Sequence, residues 1–262
     1  MAAAPIQHVL LDIEGTTCPV QFVSEVLFPY AAERLEEFLK EHAEEPAIEG
    51  LLREVELAWE QDPDPEAQAL RGSPPADLPI ATEHTPSSTR LANDNTPHAS
   101  IYLQWLIQTD RKLSPLKELQ GLIWEDGYRN GALQGPVYED VPPALKRWRE
   151  SGLLLSVYSS GSVKAQQLLY QHSSAGDLRH LFKYWFDTRI GSKLDSTSYE
   201  RICAEIKSPC SHVLFISDST NELKAAQAAG LSVLHSDRTS NPSSPAEHMP
   251  YASIRSFTSL NP

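Results

Sequence analysis

Two carboxylates lie two residues apart in the hexapeptide Asp12-Ile13-Glu14-Gly15-Thr16-Thr17. The first, Asp12, could attack phosphorus and form an aspartyl-phosphate, which divides one difficult displacement into two easier ones. The second, Glu14, could protonate the departing oxygen and then activate water. The same residues could also form a plain polar turn. The apolar run HVLLDI (residues 8–13) argues against the turn, because it predicts a buried strand that delivers Asp12 to its end.

Three further polar groups follow predicted strands later in the chain. Ser159 and Ser160 could bind an anion at a helix N-terminus, although serine in that place is more often a helix cap. Lys193 could neutralise phosphate oxygens, although an isolated lysine is usually a solvated surface residue. Asp218 could join Asp12 as a hard oxygen ligand of Mg²⁺, or it could cap the following helix. Each feature taken alone leaves both interpretations open.

The composition restricts the partners of the chain. The 262 residues carry a formal net charge of −13, which argues against nucleic acid and anionic lipid as partners. The three cysteines, Cys18, Cys203 and Cys210, have no metal-ligand spacing and are odd in number, which favours a reducing compartment. We find no signal-peptide pattern and no apolar run of about 18 residues, the length of a membrane span. We therefore predict a soluble intracellular protein that binds a small ligand.

The stretch after the first strand is predicted to be helical. Apolar residues at spacings of three and four indicate helices over residues 22–61, divided near Pro46, and again over 101–107 and 116–128. The prolines of residues 62–79 predict a loop. Together these pieces predict a helical domain inserted into the chain.

We assign this helical cap domain to residues 20–133 and the core domain to residues 1–19 and 134–262. In the second part of the core, predicted strands and helices alternate, which is typical of a parallel sheet with right-handed crossovers. The predicted fold class is therefore α/β, with a Rossmann-like core and an inserted all-helical cap. Polar groups that follow parallel strands meet at one edge of the sheet, where such folds bind ligands.

Asp12, Ser160 and Asp218 each follow a predicted strand, and Lys193 lies between the last two in the chain. This order resembles that of the haloacid dehalogenase superfamily, and the resemblance extends from His8 to about His235. Longer strings narrow the resemblance to the enolase-phosphatases of methionine salvage. These strings are DIEGTT, FVSEVLFPY, GYRNGALQGPVYEDV, VYSSGS and FDTRIGSK.

The resemblance implies a site for one Mg²⁺ per subunit. Asp12 would be the nucleophile and a metal ligand, and Asp218 would complete the metal site. Glu14 stands where most phosphatases of the superfamily carry Asp. It would bind the metal through its backbone carbonyl and serve as general acid and base. The acidic position beyond Asp218 reads Thr220-Asn221-Glu222, and the role of Glu222 is left open.

The resemblance also implies the phosphate-binding residues. Ser159, Ser160 and Lys193 would bind the substrate phosphate, and Lys193 would also be catalytic. Arg238, in the loop after the last predicted core strand, is left as a hypothetical substrate contact.

The implied reaction has two steps. The enzyme would enolise 2,3-diketo-5-methylthiopentyl 1-phosphate and then dephosphorylate it to 1,2-dihydroxy-3-keto-5-methylthiopentene (acireductone), with the cap closing over the apolar tail. The family implies a monomer in the cytoplasm, with the nucleus as a second location. One alternative is a phosphatase of the same superfamily that acts on another small phosphorylated metabolite. A metal-independent dehalogenase is disfavoured, because Asp218 would have no metal to bind. A non-catalytic binding protein is disfavoured, because it would be expected to lack at least one catalytic position, whereas Asp12, Ser160, Lys193 and Asp218 are all present.

Overall fold

The structure, a computed structural model, describes residues 5–72, 96–109, 111–238 and 250–262. The chain forms two compact units. One consists of Met1–Val23 and Tyr128–Pro262, and the other is Ser24–Gly127. This division falls near the predicted boundaries after residues 19 and 133. None of the helices in the described ranges has the length and hydrophobicity to span a bilayer.

The strands of the described residues all belong to one sheet. They are β1 (His8–Leu11), β2 (Leu154–Tyr158), β3 (Tyr184–Phe186), β4 (Val213–Ser217), β5 (Ser232–Ser236) and β6 (Ser253–Ile254). The order across the sheet is β3-β2-β1-β4-β5-β6, and all neighbouring strands are parallel. In the middle of the sheet, Leu11 is aligned with Val157 of β2 and Ile216 of β4. The residues that follow these three strands therefore lie along one edge.

The helices connect the strands of the first unit and form the second unit. In chain order they are α1 (Phe28–Glu41), α2 (Pro46–Glu60), α3 (Pro65–Arg71), α4 (Thr96–Gln108), α5 (Ser114–Arg129), α6 (Val141–Glu150), α7 (Val163–Gln171), α8 (Ser196–Glu205) and α9 (Thr220–Ala228). A π-helical segment, Phe22–Leu27, precedes α1. In the first unit, α9 packs on β4 and β5, and α6 packs on β2. The predicted α/β fold class with a parallel sheet and an inserted helical region is confirmed.

The second unit has a core of its own, built from the apolar faces of its helices. Leu35 of α1, Val55 of α2 and Leu103 of α4 are among its buried side chains. Trp59 stacks on Tyr102 with ring centroids 4.9 Å apart and planes 3° apart. The periodic apolar residues of the sequence thus pack against one another within this unit, as amphipathic helices require.

The predicted loop over residues 62–79 is wrong in its first part, because α3 occupies Pro65–Arg71. Pro65 stands in the first turn, where its missing N–H removes no helical hydrogen bond. The Asp64 side chain caps this helix by accepting from the backbone N–H of Glu66. Trp59 also fixes it by donating its indole N–H to the carbonyl of Ala67 at 2.7 Å. Residues 73–79 of the predicted loop lie outside the described residues.

The start of β1 contains a buried histidine. His8 is 1% exposed, and its Nε2 lies 2.7 Å from Ser156 Oγ on β2. Its Nδ1 is buried and has no hydrogen-bond partner among the described residues. Burial, with a smaller contribution from Lys183, lowers the pKa of His8 to about 4. The fold therefore holds this imidazole in its neutral form.

We expect this histidine to make stability depend on pH. Because the folded state disfavours protonation of His8, the contribution of its neutral imidazole to the unfolding free energy is complete above pH ~6.5 and is lost as the pH falls towards 4. Between pH 7.5 and 5.0 the loss should be about 2 kcal/mol of unfolding free energy. Urea unfolding of the wild type and of His8→Gln checks this, since the amide can reach Ser156 but does not titrate. An equal fall in both proteins would contradict the prediction.

Candidate active site

The nucleophile predicted from the sequence, Asp12, follows β1 and is held at both carboxylate oxygens. It is 3% exposed. Its Oδ1 accepts from the backbone N–H of Ile13 at 2.8 Å and from Lys193 Nζ at 2.6 Å. Its Oδ2 accepts from Ser217 Oγ at 2.9 Å. The side chain is thus fixed in one orientation at the edge of the sheet.

Lys193 is a buried residue of this site, so its interpretation as a solvated surface lysine is wrong. The residue is 7% exposed, and besides Asp12 its Nζ lies 2.7 Å from Glu222 Oε2. The Tyr199 hydroxyl donates to the Lys193 carbonyl at 2.8 Å and fixes the backbone. Burial alone would lower the pKa of Lys193, but Asp12 and Glu222 outweigh it and raise that pKa above its ordinary value. The side chain therefore provides a permanent positive charge beside the nucleophile.

Glu222 is the site residue whose role the sequence left open. It lies in the first turn of α9, and its Oε2 also contacts Ser217 Oγ at 3.0 Å. Burial, then the charge of Asp12, raises the pKa of Glu222 to about 7. Its place four residues after Asp218, at the start of a helix, was the available signal, because the first turn of that helix begins at the same sheet edge. The structure gives it a role in holding Lys193.

Two further carboxylates lie beside Asp12, because Glu14 follows it by two residues in the same loop and Asp218 comes directly after the neighbouring strand β4. Gly15 has φ +66°, and a Cβ on it would overlap the Asp218 carboxylate. Only glycine therefore allows Asp218 to come this close to the loop after β1. Burial, then the charge of Asp12, raises the pKa of Asp218 to about 6. The same two causes, in the same order, raise the pKa of Glu14.

This crowding of acidic groups fits a divalent cation. Among the described residues, no three His, Cys, Asp or Glu side chains form a group that could hold a metal ion. The predicted donors, however, are two carboxylates, of Asp12 and Asp218, and the backbone carbonyl of Glu14. Mg²⁺ uses few protein oxygens of this kind and keeps several waters. Burial, then repulsion from Asp12, raises the pKa of Asp218, and such a cation would relieve the repulsion.

The residues predicted to bind phosphate lie between β2 and α7. Ser159 is buried, and its Oγ lies 3.5 Å from Glu14 Oε2 and accepts from the Gly161 N–H at 3.2 Å. Ser160 is exposed. Neither caps α7, because Ser162 does so by accepting from the Ala165 N–H. The cap interpretation of this serine pair is therefore wrong.

The cap interpretation of Asp218 is also wrong, since Ser219 caps α9 by accepting from the Glu222 N–H.

The hypothetical substrate contact Arg238 binds other protein groups instead. Its Nη1 donates to both oxygens of Asp140 at 3.0 and 2.9 Å, and its Nε donates to the Thr16 carbonyl at 3.1 Å. Arg238 thus has a structural role in these contacts. Residues 239–242 of its predicted loop lie outside the described residues.

Comparison with known proteins identifies the family of the chain. Residues 6–230 match the family model of haloacid dehalogenase-like hydrolases. The chain is 47% identical to an enolase-phosphatase E1 of Synechococcus sp. (strain RCC307), over 98% of this chain and 95% of the relative. It is 42% identical to the enolase-phosphatase E1 of Aquifex aeolicus (strain VF5), over 89% of this chain and 91% of the relative.

Solved structures with a similar fold are also found. The crystal structure of the UTR4 protein from Saccharomyces cerevisiae matches with a TM-score of 0.68 and 30% identity, over 97% of this chain and 100% of that chain. The phosphate complex of CbbY from Rhodobacter sphaeroides has a TM-score of 0.54 at 15% identity, over 97% of this chain and 96% of that one, and shows the fold alone. The chain belongs to the enolase-phosphatase E1 family within the haloacid dehalogenase-like hydrolases.

Proposed function

We propose that this chain is a magnesium-dependent enolase-phosphatase of methionine salvage. It would enolise 2,3-diketo-5-methylthiopentyl 1-phosphate and then dephosphorylate it to acireductone. One observation carries the phosphatase chemistry. The buried Asp12 carboxylate is held 2.6 Å from the Lys193 ammonium, at the sheet edge where Asp218 also follows its strand. Membership of the enolase-phosphatase E1 family supports the substrate.

Phosphoryl transfer proceeds through Asp12. An Asp12 carboxylate oxygen bonds to phosphorus while the bond between phosphorus and the ester oxygen of the substrate breaks. Glu14 gives its proton to that departing oxygen. The raised pKa of Glu14 favours the protonated form that this step needs. Glu14 then takes a proton from water, which attacks phosphorus and releases Asp12 with inorganic phosphate. Both residues return to their starting states.

Lys193 and the serines hold the phosphate. Among the described residues, the Lys193 ammonium donates to two carboxylates, so one of its three N–H groups is left for a substrate oxygen. Ser159, Ser160 and the backbone N–H groups before α7 add neutral donors at a helix N-terminus. These groups stabilise the charge that develops on the transferred phosphoryl group.

Asp12, Asp218 and the Glu14 carbonyl would hold the magnesium ion. When bound, the ion neutralises charge between the phosphate and the carboxylates and polarises the dicarbonyl group of the substrate. We expect chelator-treated protein to be inactive and to regain activity when Mg²⁺ is added, because phosphate and the carboxylates otherwise repel one another. A phosphate-release assay with and without chelator measures this. Full turnover in chelator would contradict the magnesium site and favour a metal-independent member of the superfamily.

The substrate is tested by phosphate release from the diketo phosphate beside common sugar and nucleotide phosphates. We expect a clear preference for the diketo phosphate, with acireductone as product. A preference for another member of the panel would support the alternative, a phosphatase of a different small metabolite. The monomeric state, the cytoplasmic and nuclear locations, and the lack of nucleic acid or membrane partners stay predictions.

A further inference from the structure

The Ser217 hydroxyl lies between two of the acidic groups of the site, Asp12 and Glu222. Ser217, the last residue of β4, is 0% exposed. Its Oγ lies 2.9 Å from Asp12 Oδ2 and 3.0 Å from Glu222 Oε2. It also accepts from the Ser219 N–H at 3.1 Å. A hydroxyl has one proton, so Ser217 can donate to only one of the two carboxylates at a time.

Lys193 connects the same two carboxylates in a different way. Its ammonium donates to Asp12 Oδ1 and Glu222 Oε2 at once, at 2.6 and 2.7 Å. Lys193 therefore donates to Asp12 and Glu222 at the same time, whereas Ser217 can donate to only one of them. Which carboxylate accepts from Ser217 depends on which carries more negative charge, since hydrogen bonds to ionised acceptors are the stronger ones.

We propose that Ser217 is a positioning residue whose hydroxyl proton alternates between Asp12 and Glu222 during turnover. The proposal rests on the proposed aspartyl-phosphate. In the free enzyme the hydroxyl donates to Asp12 and stops the carboxylate from rotating. Once an Asp12 oxygen bonds to phosphorus, the group loses its negative charge and becomes the weaker acceptor. The hydroxyl then turns to Glu222, and hydrolysis restores the first arrangement.

The alternation needs no movement of heavy atoms. Rotation about the Cβ–Oγ bond of Ser217 redirects the proton, which stays on Oγ throughout, and no bond to Ser217 forms or breaks. Asp12 is thereby fixed when it must attack. Glu222 gains a donor when the phosphoenzyme forms, which keeps its carboxylate and the Lys193 ammonium in place for the hydrolysis step.

The variant Ser217→Ala tests this proposal. We expect kcat to fall about 10- to 100-fold, the loss for one hydrogen bond to a charged group. KM should stay within about threefold, because a fully buried side chain does not touch the substrate. Ser217→Thr keeps the hydroxyl and should recover most of the activity. Should the alanine variant fail to fold, Ser217→Cys keeps the volume but donates weakly, and it should lose kcat in the same way.

The matched control is Ser156→Ala, which removes another buried serine hydroxyl, bonded to His8 on the neighbouring strands. It should lower the unfolding temperature without changing kcat. Phosphorylation and hydrolysis are measured separately in single turnovers, with the diketo phosphate and with p-nitrophenyl phosphate. If the enzyme hydrolyses p-nitrophenyl phosphate but not the diketo phosphate, the proposed substrate is rejected, and the comparison of the Ser217 variants can still be made. Unchanged kcat in Ser217→Ala, or a loss confined to phosphorylation, would overturn the alternation.

Discussion

Asp12→Asn should release no inorganic phosphate while it keeps part of the enolisation step. Phosphoryl transfer needs a nucleophilic carboxylate, and an amide is a far poorer nucleophile. Enolisation needs a base and a polarised dicarbonyl, and the asparagine carbonyl oxygen can still contribute to the metal site, with weaker binding. The amide keeps one oxygen, which can accept from Lys193 in the place of Oδ1 at 2.6 Å, and its NH2 group then faces Ser217 Oγ, which must accept rather than donate at 2.9 Å.

The two steps are separated by running the reaction in deuterated water. The folded, magnesium-loaded variant should take up deuterium at the carbon that bears the phosphate ester, without phosphate release. Asp195→Asn is a matched control, because Asp195 is the exposed N-cap of α8 and asparagine caps equally well. Deuterium uptake no faster than in enzyme-free buffer would mean that Asp12 takes part in enolisation, or that the steps cannot be uncoupled.

Lys193→Met should lower phosphate release by about 100-fold or more, the loss expected for one preorganised charge at a developing anion. From the sequence alone, this change would be expected to leave folding nearly intact. The structure alters that expectation, because Lys193 is 7% exposed and pairs with Asp12 and Glu222. Removing one member of a buried ion pair costs about 3–5 kcal/mol, so the variant should also be less stable.

The double variant Lys193→Met/Glu222→Gln separates catalysis from stability. It removes one of the two carboxylates that Lys193 pairs with, so unfolding free energy should recover part of the loss seen in the single variant, while Asp12 stays without its cation. Phosphate release should stay about 100-fold or more below the wild type. Urea unfolding and steady-state kinetics on the same samples measure both. Recovery of activity in the double variant would show that Lys193 acts only through folding.

The spacing of apolar residues predicted most of the fold, because strands and helices that bury one face each need apolar residues at a characteristic spacing. The run before Asp12 became β1, and Pro46 indeed begins α2. Pro65 was misread because proline is compatible with two structures, a loop and the first turn of a helix. The two-residue strand Ser253–Ile254 was not predicted, since so short a segment has no period to detect.

The candidate site could be predicted where its residues follow strands, as Asp12, Ser159 and Asp218 do. Glu222 and Ser217 could not be assigned from sequence. Their roles come from contacts with Lys193 and Asp12, which lie far away along the chain and come close only in space. Ser217 in particular looks like an ordinary residue of a buried strand.

The central place of β1 has a consequence for synthesis of the protein. Leu11 pairs with Val157 and Ile216, so β1 leaves the ribosome long before its two neighbouring strands are made. At about 5–20 residues per second, this apolar strand waits roughly 7 to 30 seconds even for β2. During that time its unpaired backbone is open to aggregation, and protection by a chaperone would be of use. A nascent chain that ends before β4 therefore contains Asp12 and Lys193 without Asp218 and Glu222.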